Sequence, residues 1–286
     1  MKKPSMIAAA IVLILFVIGN SNCSKSSNST NTPAFHVQLQ TSSTLGSYLV
    51  DKNGHALYFF INDVKGESTC TGTCEVNWPV VIDSNLTAAE LGTGLTLADF
   101  SSSETSEGKK QLMYKGWPLY NFSPAGVQEG KGAVTGDGVA GIFFVAKPDY
   151  TIMLGSTQLV GLDGNNYIAP STLGTGNSTY FTDARGATLY LFAIDSANHN
   201  KFTKADFSNN AVFPIYDTTN VVVPSVLTKT LFTTTTVFGK SQLSFNGWPL
   251  YYFGADSAHR GSTKAVSIGP NKWPVVTQTT PAAPHP

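Results

Sequence analysis

The sequence predicts an all-β protein made of four repeated antiparallel hairpin-plus-strand units in two homologous halves, arranged as a sandwich, a barrel or propeller-like blades. Three observations carry this expectation. Gly-x-x-Leu-Tyr-x-Phe occurs four times at intervals of roughly 60 to 70 residues, the mark of one copied supersecondary unit. The composition is rich in Thr, Ser, Gly, Tyr, Phe and Val and poor in Glu, Lys and Arg, which favours strands and turns over helices. In the motif strand Leu57 and Phe59 point opposite to Tyr58 and Phe60, so it is apolar on both faces and must be covered on both.

The chain of 286 residues is long enough for one large or two medium domains. Lys2 and Lys3 precede an apolar run from Ile7 to Ile18, shorter than a membrane-spanning helix requires and followed at once by Asn20, Ser21 and Asn22. This is the pattern of an export signal over residues 1–22. Cys23 follows, and the tract to residue 35 is too polar to bury anything, which makes it a flexible tether. The arrangement looks like that of a bacterial lipoprotein, in which the cysteine is fatty-acylated, here Cys23. Asn20 and Asn22 depart from the Leu and the Gly or Ala usual in that cleavage motif.

The first unit runs from Gly46–Val50, turns through Asp51-Lys52-Asn53-Gly54 and returns as Ala56–Phe60; Asn-Gly between β-prone runs signals a hairpin. Asp63, Cys70, Cys74 and a third strand, Trp78–Ile82, follow. After a polar, partly helical connection from Ser84 to Gly108, the second unit shows Gln111–Tyr114, a turn at Lys115-Gly116, Trp117–Phe122 and a third strand, Ile142–Val145. The third unit turns at Ala184-Arg185-Gly186, returns through Thr188–Phe192 and resumes at Val212–Tyr216, with Phe213-Pro214 in the place of Trp78-Pro79. The fourth repeats the second closely, with Gln242–Phe245, Asn246-Gly247, Trp248–Phe253 and Trp273–Val276. Units alternate in kind, so the halves are 36–150 and 151–277. Ser43-Thr44-Leu45-Gly46 reappears as Ser171-Thr172-Leu173-Gly174 in support. Residues 278–286, with three prolines, read as a disordered tail.

With Tyr58-x-Phe60-x-x-Asp63, Cys70, Cys74 and Trp78-Pro79, and the later Tyr114-x-Gly116-x-Pro118-Leu119-Tyr120, the chain resembles the bacterial secreted-repeat lipoproteins known by a Tyr-x-aromatic-x-x-Asp motif. That family has no established biochemical function. The sequence departs from it in the second unit, where Ala125 stands in the aspartate's place, and in the third, which has no cysteines.

The candidate site residues are the motif positions themselves: Tyr58, Phe60 and Asp63; Tyr120 and Phe122; Tyr190, Phe192 and Asp195; Tyr251, Phe253 and Asp256. Each aspartate lies three residues past the motif phenylalanine, in equivalent turns. It either accepts backbone hydrogen bonds there or contributes to a calcium or ligand site. Cys70 and Cys74, in an exported protein, are expected to form a structural disulfide, with a redox-active pair as the sharper alternative. His199 and His259 follow Asp195 and Asp256 in related runs and read as exposed loop histidines, with a shared metal site as the alternative. Trp117, Trp248 and Tyr252 are either packing residues or a sugar-stacking platform.

Equal numbers of acidic and basic side chains and a charged fraction of only 13% exclude a nucleic-acid partner, which needs a concentrated positive field. The glycine-rich stretch Gly126–Gly141 lacks the strand, Lys-Ser/Thr and helix context of a phosphate-binding loop. No cofactor, metal or catalytic residue is assigned. The expectation is an exported, lipid-anchored protein of the bacterial cell envelope, at the outer membrane, with a non-enzymatic binding or structural role and an envelope protein or glycan as partner. A redox accessory and a glycan-binding surface protein are the competing readings.

Overall fold

The computed structural model describes residues 36–286 except 84, 258 and 270. The export signal, Cys23 and the tether lie outside the described residues. Within them the chain is all-β, with antiparallel sheets, short 3₁₀ turns and one five-residue α-helix, Thr73–Asn77. None of the sheets closes into a barrel, and their packing is sandwich-like.

In the first half, β1 (Val37–Ser42) and β2 (Gly46–Asp51) form a hairpin, and β3 (Tyr58–Phe60) carries the first motif. The segment from Ser84 to Gly108, expected to be partly helical, holds only 3₁₀ turns at Ala88–Glu90 and Leu97–Asp99 before β4 (Phe100–Glu104). Both turns are too short to bury a continuous apolar stripe. β4, β5 (Lys110–Tyr114) and β6 (Trp117–Pro118) make a meander, and β7 (Phe143–Val145) closes the half.

The second half opens with β8 (Ile152–Val160), which pairs with β11 (Asn177–Asp183) as β1 pairs with β2. Between them lies an added hairpin of β9 (Asn166–Ile168) and β10 (Thr172–Leu173). The recurrence of Ser-Thr-Leu-Gly is therefore not a structural equivalence: Gly46 opens β2, whereas Gly174 follows β10 in the added hairpin. Strands β12 (Phe232–Val237), β13 (Lys240–Phe245) and β14 (Trp248–Pro249) repeat the meander of β4 to β6.

The turns show why the units alternate. Asp51 Oδ1 accepts from the backbone N–H of Asn53 at 2.8 Å and of His55 at 2.9 Å. Asp183 does the same for Arg185 at 2.8 Å and Ala187 at 2.9 Å. Only the closing Gly54 and Gly186 are left-handed, so these are aspartate-built turns and not the Asn-Gly hairpin expected at Asn53-Gly54. In the second and fourth units both turn residues have positive φ, Lys115-Gly116 and Asn246-Gly247, which is the two-residue hairpin geometry.

The third segment of each unit does not complete its own hairpin; it crosses to the neighbouring unit. β7 pairs with β3 with Tyr58 opposite Val145, and Tyr120 bridges both Tyr58 and Val80. The second half repeats this, with Tyr190 bridging Tyr251 and Val275, and Tyr251 bridging Ile215. Two units thus exchange strands about a local two-fold axis, and a half is the smallest piece in which the motif strands find partners. Leu57, Tyr58 and Phe59 are all buried, as an apolar two-faced strand demands.

The halves also share core. One apolar cluster holds Ile61 and Phe144 from the first half with Leu154, Phe181, Phe232 and Val276 from the second. In place of the disordered tail expected from its prolines, residues 278–286 form no strand but are seated on the fourth unit. Ala283 N–H donates to Asn246 O at 2.9 Å and Ala197 N–H to Pro284 O at 2.7 Å.

Candidate functional site

In each half the motif tyrosines meet at the local two-fold axis. The backbone groups of Tyr58 and Tyr120 exchange hydrogen bonds at 2.9 and 3.0 Å, and those of Tyr190 and Tyr251 at 2.9 Å each. Their hydroxyls then cross to the other unit's carboxylate. Tyr120 donates to Asp63 Oδ2 at 2.5 Å, Tyr251 to Asp195 Oδ2 at 2.7 Å and Tyr190 to Asp256 Oδ2 at 2.7 Å. The fourth tyrosine, Tyr58, donates to Glu129 Oε2 at 2.6 Å. Glu129 thereby supplies the carboxylate that Ala125 lacks, and the arrangement is complete in all four units.

The other oxygen of each carboxylate closes its own loop. Asp63 Oδ1 accepts from Thr69 N–H at 2.8 Å and Thr69 Oγ1 at 2.7 Å, and Asp195 Oδ1 from Lys201 N–H at 2.7 Å. Asp256 Oδ1 accepts from Ser262 Oγ at 2.6 Å and Lys264 N–H at 3.0 Å; Glu129 Oε1 accepts from Thr135 through its N–H and, at 2.7 Å, its hydroxyl. The partner lies six residues on in every unit. Glu129 escaped the sequence reading because the motif was anchored on the aromatic residues. The interval from carboxylate to loop donor is the signal that finds it.

The motif phenylalanines end a column of four rings. Phe60 stacks on Phe143 at 4.3 Å between centroids, Phe143 on Trp78 at 3.7 Å, and Trp78 packs on Phe122 at 4.4 Å. In the second half Phe192, Trp273, Phe213 and Phe253 follow at 4.5, 3.4 and 4.8 Å. Strand exchange makes the order alternate between units, so each column is held by both partners. Stacking of this kind adds about 0.5–1.5 kcal/mol per pair beyond area burial.

Cys70 and Cys74 form the expected disulfide, with Cys70 buried against Trp78 and the column. His199 and His259 are exposed, and among the described residues no group of three His, Cys, Asp or Glu side chains could hold a metal ion. Trp117 and Trp248 are buried and Tyr252 turns its hydroxyl to Asp183 at 3.1 Å, so these rings are packing residues and not an exposed platform. Grooves reach the motif in both halves: one of about 460 Å³ between the disulfide loop and β8, lined by Phe60, Asn62, Lys65, Thr69, Gln158 and Asn177, and one of about 270 Å³ lined in part by Thr188, Tyr252, Phe253 and Asp256.

Burial raises Asp63 and Asp195 to about 6, against the opposing pull of their hydrogen-bond donors. Burial and the adjacent carboxylate hold all four motif tyrosines protonated, well above the ordinary phenol range. A carboxyl raised in the folded state stabilises the fold fully below its unfolded value, near 3.9, and loses that contribution as pH climbs through about 6. Acidification from about pH 7.5 to about pH 5 is therefore expected to strengthen folding by roughly 1 kcal/mol for each of these two groups. Urea unfolding of the parent and of Asp63→Asn at both values checks this. The parent should gain stability in acid and the variant should gain about half as much. A parent that weakens instead would show that the donors hold these carboxyls ionised.

These features define an all-β repeat protein whose recurring motif is a buried inter-unit clamp. Two stretches, residues 41–82 and 232–277, match the model of a family described as a secreted repeat of unknown function. They coincide with the first unit and with the fourth, the two in which a motif aspartate and a third-segment tryptophan occur together. These two stretches are thus similar to the secreted repeat that the chain's motifs resemble. No curated protein and no solved structure matches it.

Proposed function

We propose that this is an exported, lipid-anchored protein of the bacterial cell envelope, held at the outer membrane through acylated Cys23, with a non-enzymatic role in binding or in envelope organisation. The observation that carries this reading is the internal use of the repeat. Its tyrosines, carboxylates and aromatic rings are spent on one another, so the motif serves the fold and leaves any partner to the outer surface. The membrane reading rests on Lys2, Lys3, the apolar run and Cys23 in the sequence. An envelope protein or a glycan in the groove beside Phe60 is the partner class this surface suits.

Intact mass of the protein purified from its native membrane tests the anchor and the competing redox reading together. The expected result is acyl mass on Cys23, with Cys70 and Cys74 taking up label only after reduction. A protein released without lipid overturns the anchor. Reduction of the disulfide is expected to lower stability by about 2 kcal/mol, the loop-entropy value for so short a ring, without loss of the native circular dichroism. A pair that reduces reversibly at a mild potential would favour the redox reading.

A further inference from the structure

The second and fourth units present the same seat, and different parts of the chain occupy it. On the second unit, the Trp117 indole N–H donates to Ala184 O at 2.9 Å, and Arg260 Nη1 donates to Lys115 O at 2.8 Å. The Arg260 guanidinium lies 4.7 Å over the Trp117 ring. The occupant is the leading face of the second half: the turn Asp183–Gly186 and the loop bearing Arg260. On the fourth unit the Trp248 indole N–H donates to Pro281 O at 2.8 Å, Asn246 O accepts from Ala283 N–H at 2.9 Å, and Asn246 Nδ2 donates to Thr280 O at 3.1 Å. The occupant here is the tail.

The tail fills the seat less completely than a half does. Between it and the body remains an apolar cavity of about 420 Å³, lined in part by Leu191, Trp248, Val275 and Pro281. Trp117 is 0% exposed, whereas Trp248 retains 9%. The first half carries the counterpart of the leading face. Its turn Asp51–Gly54 matches Asp183–Gly186, and Gly132 N–H donates to Gly54 O at 3.0 Å as Gly261 N–H donates to Gly186 O at 2.8 Å. Lys131 therefore stands where Arg260 stands, packed against Gly54 as Arg260 packs against Gly186. Lys52, Asn53 and Lys131 are exposed.

We propose that residues 278–286 are an intramolecular cap on a docking seat for a second copy of this chain, whose first half would enter turn first. Lys52 O would meet the Trp248 indole, and the Lys131 ammonium would reach the Asn246 carbonyl and the Trp248 ring face. The contact joins different surfaces on the two copies, so it does not close and propagates head to tail. In repeat architectures a cap at the end of the stack is what keeps such a surface from associating.

The test compares the mature chain with the same chain ending at Thr277, both carrying Cys23→Ser so that lipid does not set the mass, by light scattering over a concentration series. The intact chain is expected to be monomeric, and the shortened one to at least double its weight-average mass and keep growing with concentration. Lys131→Glu in the shortened chain, or a synthetic peptide of residues 277–286 added to it, should restore the monomer. Ala283→Glu in the intact chain unseats the tail without shortening it and should reproduce the association, which covers the case of a truncation that does not fold. A folded shortened chain that stays monomeric overturns the proposal. Association that Lys131→Glu leaves unchanged also overturns it, since exposed core would then be the cause.

Discussion

Trp78→Ala is expected to destabilise the fold by about 3–5 kcal/mol, the range for truncating a large core aromatic. The indole is 5% exposed and sits in the middle of its column, stacked on Phe143 at 3.7 Å, packed on Phe122 at 4.4 Å and met edge-on by Tyr58 at 5.3 Å. Both neighbours in the column belong to the other unit, so the cavity opens at the strand-exchange axis. Trp273→Ala should cost a similar amount, since that ring stacks on Phe213 at 3.4 Å and on Phe192 at 4.5 Å. Trp78→Phe should cost less, about 1–3 kcal/mol, because a phenyl ring keeps the stack, as Phe213 does in the corresponding place, but leaves a gap that Trp273 fills in the second column. Denaturant unfolding followed by circular dichroism distinguishes these outcomes. A loss below about 1.5 kcal/mol for Trp78→Ala would mean that the column closes over the gap and does not hold the units together.

Arg260→Ala is expected to remove about 3 kcal/mol through the junction between the halves. Its Nε donates to Val64 O at 2.9 Å and its Nη1 to the carbonyls of Lys115 and Arg185 at 2.8 Å each, while its plane covers Trp117. Burial lowers this guanidinium to about 10, so it is a desolvated cation held by carbonyl dipoles. Truncation would leave three acceptors without a donor and uncover the indole. Arg260→Lys should recover little, because one ammonium on a flexible stem cannot reproduce the planar fork that reaches three carbonyls in different loops. Amide exchange is the discriminating measurement: protection should fall in both Val64–Gly66 and Arg185–Gly186, on opposite sides of the junction. A loss confined to the Arg260 loop would reduce the residue to a local contact. Gly116 is required here, since a Cβ at that position would lie 2.2 Å from Arg260 Nη1.

The clamp gives a physical reason for the repeat's form. A tyrosine whose ring is buried must still place its hydroxyl, and a carboxylate three residues past the motif phenylalanine must find donors. Strand exchange brings the two together across the axis, so each satisfies the other. Such a pair is worth little as isolated attraction, but loss of either member strands a buried polar group at a cost of about 1–3 kcal/mol. This makes the two-unit half self-specifying: a unit paired out of register leaves tyrosine and carboxylate unmatched at once.

Much of this was legible in the sequence because it is local or periodic. The recurrence of Gly-x-x-Leu-Tyr-x-Phe located all four motif segments, of which the first is the strand β3 while Tyr120, Tyr190 and Tyr251 are held by isolated bridges. The doubly apolar pattern of Leu57–Phe60 required cover on both faces. The close match of the fourth unit to the second, Gln242-Leu243 to Gln111-Leu112 and Trp248-Pro249-Leu250-Tyr251 to Trp117-Pro118-Leu119-Tyr120, marked the units as two kinds. The aspartate-built turns at Gly54 and Gly186, by contrast, were hidden behind the Asn53-Gly54 hairpin signal. The close spacing of Cys70 and Cys74 in an exported chain identified the disulfide. What only the tertiary structure decided is which segments meet. Tyr58 and Glu129 lie 71 residues apart, and Val64 and Arg260 are separated by 196. No local propensity encodes that the third segment of a unit leaves its own hairpin for its neighbour's, or that the prolines of the tail seat on Trp248. Those choices follow from burying apolar faces and pairing every buried donor and acceptor across the whole chain, a condition that a stretch of sequence states but only the assembled fold satisfies.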